Sequence, residues 1–284
     1  MIRVLITGAG SYIGEKAAAH LLAHPDQFDV QILDVTKPAW QDMNFAGMDA
    51  VLHVAGIAHQ KETEENAVLY YEVNHKLAVA VAKKAKQEGV RQFIQLSSMS
   101  VYGIVCGQIT AQSVPVPNTH YGKSKLMAEQ ALLVLQDDRF HVAIVRPPMV
   151  YGKDCRGNYP RLSRLVQKTP FFPSVSNERS MLYIDCLCVF LRRLLESGDG
   201  GMYFPQNSEY VSTHALVKQI ALAHGKRLRQ LHGFAGIIAF LSRRFETVGK
   251  VFGSLTYEKS MSSAFADEFQ PCFEDTIRIT EAKE

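Results

Sequence analysis

Short apolar runs alternate with longer, helix-like stretches through the first half of the chain. The runs are Ile2–Ile6, Val30–Leu33, Ala50–Ala55, Phe93–Leu96 and Val142–Val145. Between them the pattern predicts helices from Glu15 to about Ala23, from about Glu64 to Glu88, and from about Tyr121 to Gln136. Near-continuous apolar strands separated by helices mark a parallel sheet whose faces are covered by its crossovers. The Ala-rich stretch after Glu64 closes at Gly89, where a left-handed residue ends a helix. The expected class is therefore α/β, a doubly wound parallel sheet.

Pro147 and Pro148 stop the fifth run, and loop chemistry rich in Pro and Gly continues to about Asn158. Beyond it the pattern predicts helices over Pro160–Lys168, Ile184–Glu196 and Thr213–His224. Strands are expected at Ser180–Tyr183 and Gly201–Phe204. From Asp267 onward the chain is polar, with a short strand expected near Thr276–Ile279. No repeat or low-complexity linker divides the sequence. Residues 156–284 thus read as a small α/β lobe interwoven with the first half.

Composition narrows the functional classes. Hydrophobic residues make up 47% and charged residues 21% of 284, an ordinary globular balance. A net charge of +3, with no basic tract interleaved with aromatics, argues against nucleic acid and suits a small anionic substrate. The five cysteines are scattered, and Cys186-x-Cys188 lacks a second ligand pair at zinc spacing, so no metal site is expected. Reduced thiols and a strand that starts at Ile2, leaving no room for a signal peptide, point to a cytoplasmic protein. The apolar run Phe234–Leu241 is far shorter than the roughly 20 residues of a membrane span. Arg243 and Arg244 follow it, which allows an amphipathic membrane-surface helix. A packed helix of the C-terminal lobe is the simpler reading, and membrane association is not expected.

Candidate chemistry lies at two places. Gly8, Gly10 and Gly14 stand between the first strand and its helix, where bare backbone can approach a pyrophosphate at a helix N-terminus. The spacing departs from strict G-x-G-x-x-G. Asp34 closes the second strand 26 residues after Gly8, where a carboxylate can accept from both ribose hydroxyls of NAD and repel the 2′-phosphate of NADP. Lys37 softens that preference, and a plain strand-end turn is the alternative for Asp34. The second place is Tyr121 and Lys125, four residues apart and so on one helical face. An ammonium there is expected to lower a phenol pKa that is ordinarily about 10. With a hydroxyl from elsewhere, such a pair moves a proton to or from an alcohol oxygen while a hydride moves at the carbon.

Together these residues resemble the extended short-chain dehydrogenases/reductases, the NAD-dependent epimerase/dehydratase group. The matching stretches, in family order, are Thr7-Gly8 through Ser11-Tyr12-Ile13-Gly14, His53–Gly56, Val73-Asn74, Ser97–Gly103, Tyr121–Lys125, Arg146–Gly152 and Arg179–Asp185. The resemblance implies a Rossmann-type NAD-binding domain over residues 1–155, with later contributions from 178–205, and a substrate-binding lobe over 156–284. It implies Tyr121 as acid/base, Lys125 as its partner and a nicotinamide-ribose contact, and Ser98 as hydroxyl donor. Gly8, Gly10, Ser11, Tyr12, Ile13, Gly14, Asp34, Ala55, Gly56 and Asn74 would hold the cofactor. Ser100, Asn158 and Arg179 would contact a UDP-sugar, Arg179 through the diphosphate.

Departures from the family pattern limit the chemistry. Dehydratases of this group carry Thr-Asp-Glu where this chain has Ser98-Met99-Ser100, and Met99 supplies no proton, which removes elimination. Epimerases of the UDP-galactose type show Tyr-Phe-Asn where Pro147-Pro148-Met149 stands. The pattern looks most similar to bacterial polysaccharide enzymes acting on UDP-linked N-acetylated hexoses. The expected activity is NAD-dependent reduction of the C4 keto group of a 6-deoxyhexose; 4-epimerisation and noncatalytic NAD sensing are the rivals. The helix ending near Glu88 and the Tyr121 helix could pair with their copies in a homodimer, by family analogy.

Overall fold

The computed structural model describes residues 1–231, 233–264 and 271–282. In chain order the strands are β1 (Ile2–Thr7), β2 (Phe28–Leu33), β3 (Ala50–His53), β4 (Gln92–Leu96), β5 (Gly107–Ile109), β6 (His141–Val145), β7 (Met149–Tyr151), β8 (Phe171–Pro173), β9 (Met181–Tyr183), β10 (Gly201–Tyr203), β11 (Arg229–Leu231) and β12 (Leu255–Tyr257). The helices are α1 (Tyr12–Leu22), α2 (Glu64–Tyr71), α3 (Ala78–Gln87), α4 (His120–Leu133), α5 (Asn158–Lys168), α6 (Ile184–Ser197), α7 (Thr213–Ala223), α8 (Ala235–Arg244), α9 (Glu246–Phe252) and α10 (Phe273–Thr280). Two compact units result. The first comprises Met1–Gly103, Val114–Pro147 and Leu187–Pro205; the second comprises Ile104–Ser113, Pro148–Cys186 and Gln206–Glu284.

The first unit is built on a six-stranded parallel sheet in the order β10-β6-β4-β3-β1-β2. Every residue of β3 and β4 is buried, as the near-continuous apolar runs require of strands covered on both faces. Register pairs such as Val4↔Ala50, Leu52↔Ile94 and Ile94↔Ala143 run through the centre. On one face Val51, Phe93, Val142 and Ile144 form a core cluster with Val81, Ala82, Ala85 and Phe140. The chain passes from β1 to β2 on one side, then returns to place β3 on the other. The strand order therefore reverses at the carboxyl ends of β1 and β3, where sheets of this kind bind ligands.

One helix differs from the sequence expectation. The stretch over Glu64–Glu88 is interrupted by a π-helical segment, Glu72–Leu77, between α2 and α3. It contains no Gly or Pro, but it holds Asn74, which is fully buried. Single π turns of this kind commonly re-aim a side chain at a functional site. The far end closes as expected, with Gly89 at φ +82°.

The second unit carries three two-stranded parallel ribbons, β5·β12, β7·β9 and β8·β11. The strand expected near Thr276–Ile279 is instead part of α10. Its β-branched residues suggested a strand, but Thr276 and Ile277 are buried together on one helical face, and Glu274 and Asp275 occupy a first turn that favours acidic groups. Glu281 ties three elements together, accepting from Ser163 of α5 at 2.9 Å and meeting His224, at the end of α7, at 2.7 Å. The polar stretch expected from Asp267 falls partly on residues outside those described. The run at Phe234–Leu241 forms α8, but not a fully packed helix: Ile238 is 7% exposed, whereas Ile237 is 58% and Phe240 70% exposed.

Candidate active site

β1 ends at Thr7, and the turn that follows lacks side chains where the backbone approaches most closely. Gly8 lies at φ +100°, and a Cβ added there would stand 2.8 Å from the Ala55 nitrogen beyond β3. Gly14 is as confined, with an added Cβ 2.6 Å from Ser11 Oγ and 2.9 Å from Val54 Cγ2. Gly10 differs: at φ +74°, an added Cβ meets nothing within 4 Å. Ser11 is the N-cap of α1, its hydroxyl accepting from Gly14 N at 3.2 Å, and Tyr12 and Ile13 open the helix half-buried. Amides of a helix N-terminus beneath open space at Gly10 fit the pyrophosphate of a dinucleotide.

Asp34 follows β2. Its Oδ1 accepts from Thr36 N at 2.9 Å and Thr36 Oγ1 at 2.5 Å, and Oδ2 lies 3.9 Å from Lys37 Nζ. These hydrogen bonds hold its carboxyl below the usual range, so it is an anionic acceptor. The strand-end turn, made through Oδ1, and an anionic acceptor oxygen, Oδ2, are thus combined in one residue.

Asn74, expected to line the cofactor, is fully buried. Its Oδ1 accepts from Ile57 N at 2.7 Å, and its amide nitrogen donates to Ile57 O at 3.1 Å and Ser124 Oγ at 3.2 Å. It fastens the loop after Ala55 and Gly56 to α4. A Cβ added at Gly56 would stand 2.9 Å from Asn74 Oδ1 and 3.1 Å from Lys125 Nζ, so any larger residue there would displace the ends of those two side chains.

Tyr121 and Lys125 lie in the first two turns of α4. The Ser98 hydroxyl acts on the Tyr121 phenol in favour of its anion, and the Tyr70 ring meets the phenol ring edge-on at 6.4 Å. Ser98 is held by its own loop: its hydroxyl accepts from Ser100 N at 3.1 Å and lies 3.2 Å from Ser100 Oγ. Lys125 is 5% exposed and donates to the Leu96 carbonyl at 2.8 Å. Burial pushes its pKa down to about 8, against the opposing pull of Glu129.

The phenol pKa departs from the sequence expectation. Tyr121 is held above its ordinary value, because desolvation outweighs the opposing influence of Ser98, and the neighbouring Tyr70 pushes the same way. The Lys125 ammonium points its donor at Leu96 O. Without bound partners the phenol is therefore firmly protonated at neutral pH.

Several supporting residues were not singled out in the sequence. Glu62 accepts from the backbone nitrogens of His120 and Tyr121, each at 2.9 Å, capping α4 at Tyr121 itself. Gly122 lets α4 press on the serine loop; a Cβ added there would be 2.6 Å from Ser100 O. Glu129, one turn beyond Lys125, forms a buried bidentate pair with Arg146 and also accepts from Ser97, while Arg146 donates to Tyr102 Oη at 2.9 Å. The i, i+4 spacing of Lys125 and Glu129 was the available signal for this pair. Glu62 offered none, because its partners are backbone groups 58 and 59 residues away.

Two expected substrate contacts lie in the second unit. Asn158 is exposed at the start of α5 behind Gly157, which is at φ +98°. Arg179 is half-buried, with Nη1 donating to Gly253 O at 2.8 Å. Ser100 is exposed in the first unit.

The pattern of the NAD dependent epimerase/dehydratase family matches residues 4–205, from β1 through β10. The chain belongs to that family. It is an NAD-dependent enzyme of the extended short-chain dehydrogenase/reductase type. A UDP-glucose 4-epimerase of Vibrio cholerae is 30% identical over 237 residues, covering 80% of this chain and 72% of that one. A UDP-2-acetamido-2,6-beta-L-arabino-hexul-4-ose reductase of Pseudomonas aeruginosa is 25% identical over 265 residues, covering 90% and 62%. Among solved structures, a UDP-glucuronic acid 4-epimerase of Bacillus cereus in complex with NAD shares the fold at a TM-score of 0.77 and 18% identity, covering 99% and 96%.

Proposed function

We propose that this family member reduces the C4 keto group of a UDP-linked N-acetylated 6-deoxyhexose for surface-polysaccharide synthesis. What supports this direction is Pro147-Pro148-Met149 standing where UDP-galactose-type epimerases show Tyr-Phe-Asn, together with the likeness to the Pseudomonas aeruginosa 4-keto sugar reductase over 90% of this chain. Tyr121, whose phenol is held above its ordinary pKa, is in the form that reduction needs. Reduction requires an acid at the carbonyl oxygen, whereas oxidation of an alcohol requires the phenolate. Bound NADH supplies the hydride for the C4 carbon. Tyr121 donates its proton to the oxygen that becomes the C4 hydroxyl, and Ser98 holds that oxygen in line. Lys125, one turn on, favours the phenolate left behind. Gly8, Gly10, the α1 N-terminus, Asp34 and Gly56 would hold the dinucleotide, with Asn74 fixing the loop that carries Gly56. Ser100, Asn158 and Arg179 remain the proposed sugar-nucleotide contacts, Arg179 supplying the charge for the diphosphate.

A second reading, 4-epimerisation of a UDP-hexose, is supported by the Vibrio cholerae relative. It uses the same three groups, with Tyr121 working first as base and then as acid. The two are separated by mass balance. Stoichiometric NADH consumption with a 4-keto sugar supports reduction; interconversion of UDP-GlcNAc and UDP-GalNAc without net redox change overturns it. In either case Tyr121→Phe should lower kcat by roughly 10²–10⁴-fold, the usual worth of positioned proton transfer, while NADH still titrates the protein. An active Tyr121→Phe enzyme would remove the assignment.

A further inference from the structure

The surface around α8 is unlike the rest of the chain. From Lys226 to Lys250 there are six Lys or Arg residues and one Glu, although the whole protein carries only +3. The same segment exposes large apolar side chains: Leu231 at 37%, Phe234 at 42%, Ile237 at 58%, Phe240 at 70% and Phe245 at 53%. Ile237, Phe240 and Arg244 stand at i, i+3 and i+7 and share one helical face, whereas Ile238, buried, points the other way. Leu231 precedes Phe234 by three residues, so the two are within about 11 Å along the chain. In the β8·β11 ribbon, whose second strand leads into α8 along the chain, Arg229 is in register with Phe171, itself 46% exposed. Together these side chains present on the order of 500 Å² of apolar surface, at the top of the range for an ordinary monomer.

We infer that α8 and the β8·β11 ribbon dock on an anionic membrane surface, with the helix lying in the plane of the interface. Among the described residues no helix is long and apolar enough to cross a membrane, so this is surface attachment. The chemistry decides the partner. Phenylalanine and isoleucine face outward beside exposed Lys226, Arg227, Arg229 and Arg244. Long basic side chains carry apolar stems and charged tips, which suits the boundary between acyl chains and anionic headgroups. Excess positive charge confined to the segment that exposes the aromatics gives the attraction its sign. This inference is independent of the direction of the sugar chemistry.

The test is flotation of the full chain with vesicles of phosphatidylcholine alone and of phosphatidylcholine mixed with phosphatidylglycerol. The wild-type protein should float with the anionic vesicles only, and high salt should release it as screening shortens the range of the attraction. Ile237→Ser/Phe240→Ser should lower the partition coefficient at least ~10-fold through the lost apolar burial. Arg244→Glu, an exposed change with little demand on folding, should lower it on the order of 10-fold. NADH titration of each variant establishes that it is folded. The inference is overturned if the wild-type chain does not distinguish anionic from neutral vesicles, or if both variants float as it does. It is equally overturned if the wild-type chain is a dimer that ignores vesicles and that Ile237→Ser/Phe240→Ser converts to monomers, because a second copy then covers the face.

Discussion

Glu62 holds the turn that carries Tyr121, the proposed acid, through backbone groups alone. Its carboxylate accepts from the backbone nitrogens of His120 and Tyr121 at 2.9 Å each, and Thr119 Oγ1 accepts from Gly122 N at 3.0 Å. The first three amides of α4 are thus all satisfied by side chains. An acceptor lost at a helix N-terminus costs about 0.5–2 kcal/mol, and a negative charge there adds about 0.3–1 kcal/mol through the helix dipole. Glu62→Ala removes two charge-assisted acceptors at once and is expected to cost roughly 2–3 kcal/mol. Glu62→Gln keeps one carbonyl oxygen and should cost about half as much. The catalytic consequence follows from position. Tyr121 lies in the turn that is released, and small misplacements of a reacting group lower rates by up to ~10²-fold. Urea unfolding gives the stability change, and steady-state kinetics should show a kcat at least ~10-fold lower in Glu62→Ala with the KM for NADH unchanged. Recovery of most of that loss in Glu62→Gln distinguishes positioning from electrostatics at the phenol. If Glu62→Ala retains both its stability within 0.5 kcal/mol and its kcat within about two-fold, the cap does not position the acid.

Three further outcomes follow from the first unit. His53 is fully buried, its Nδ1 lies 2.7 Å from Thr7 Oγ1, and burial together with the Lys125 charge pushes its pKa down to about 3. Between pH 6.5 and 3 the unfolded chain binds the extra proton, so stability is complete above pH 6.5 and is lost as the pH falls. By pH 4.5 the loss amounts to roughly 2–3 kcal/mol. His53→Asn should therefore show a shallower fall between pH 7 and 4.5 in urea titrations, and parallel curves would contradict the assignment. Glu129→Gln should cost roughly 3–5 kcal/mol by leaving Arg146 buried without its partner, while Glu129→Met/Arg146→Met should restore most of it; simple additivity in the double-mutant cycle would refute this coupling. Gly122→Ala offers a test by sign. Helix propensity alone favours alanine by about 1 kcal/mol. The 2.6 Å approach to Ser100 O, however, makes the same change destabilising by roughly 1–3 kcal/mol in thermal or urea unfolding.

What the sequence made legible was whatever acts through period and punctuation. The parallel sheet could be read because its strands are buried on both faces and therefore lack alternation, as in Val142–Val145. The Tyr121–Lys125 relation could be read because i, i+4 spacing is local. The π segment could not, because the contacts Asn74 makes from it, to Ile57 and Ser124, lie 17 and 50 residues away. The last helix was misread because β-branched residues such as Thr276 and Ile279 carry a strand preference that packing against α7 overrides. The phenol pKa was misjudged for a related reason. Spacing shows which groups are near one another, but burial and competing acceptors decide how strongly they interact, and here the Leu96 carbonyl takes the ammonium's hydrogen bond.

That competing bond bears on how the proposed acid/base centre balances its charge. Lys125 is buried and, with its pKa at about 8, carries its proton at neutral pH. Arg146 is buried and charged, Glu129 offsets it directly, and His53 is held neutral. The interior behind the phenol therefore has one positive charge in excess while Tyr121 is protonated. Such a charge is costly in a poorly solvated site, and Leu96 O stabilises it only in part. In the proposed reduction, loss of the Tyr121 proton to a substrate oxygen would leave a phenolate that brings the cluster to neutrality. The burial that holds the phenol acidic form in place thus coexists with a charge environment that favours its conjugate base after transfer. Lys125 contributes less by lowering the resting pKa than by making the proton-donated state the electrically balanced one.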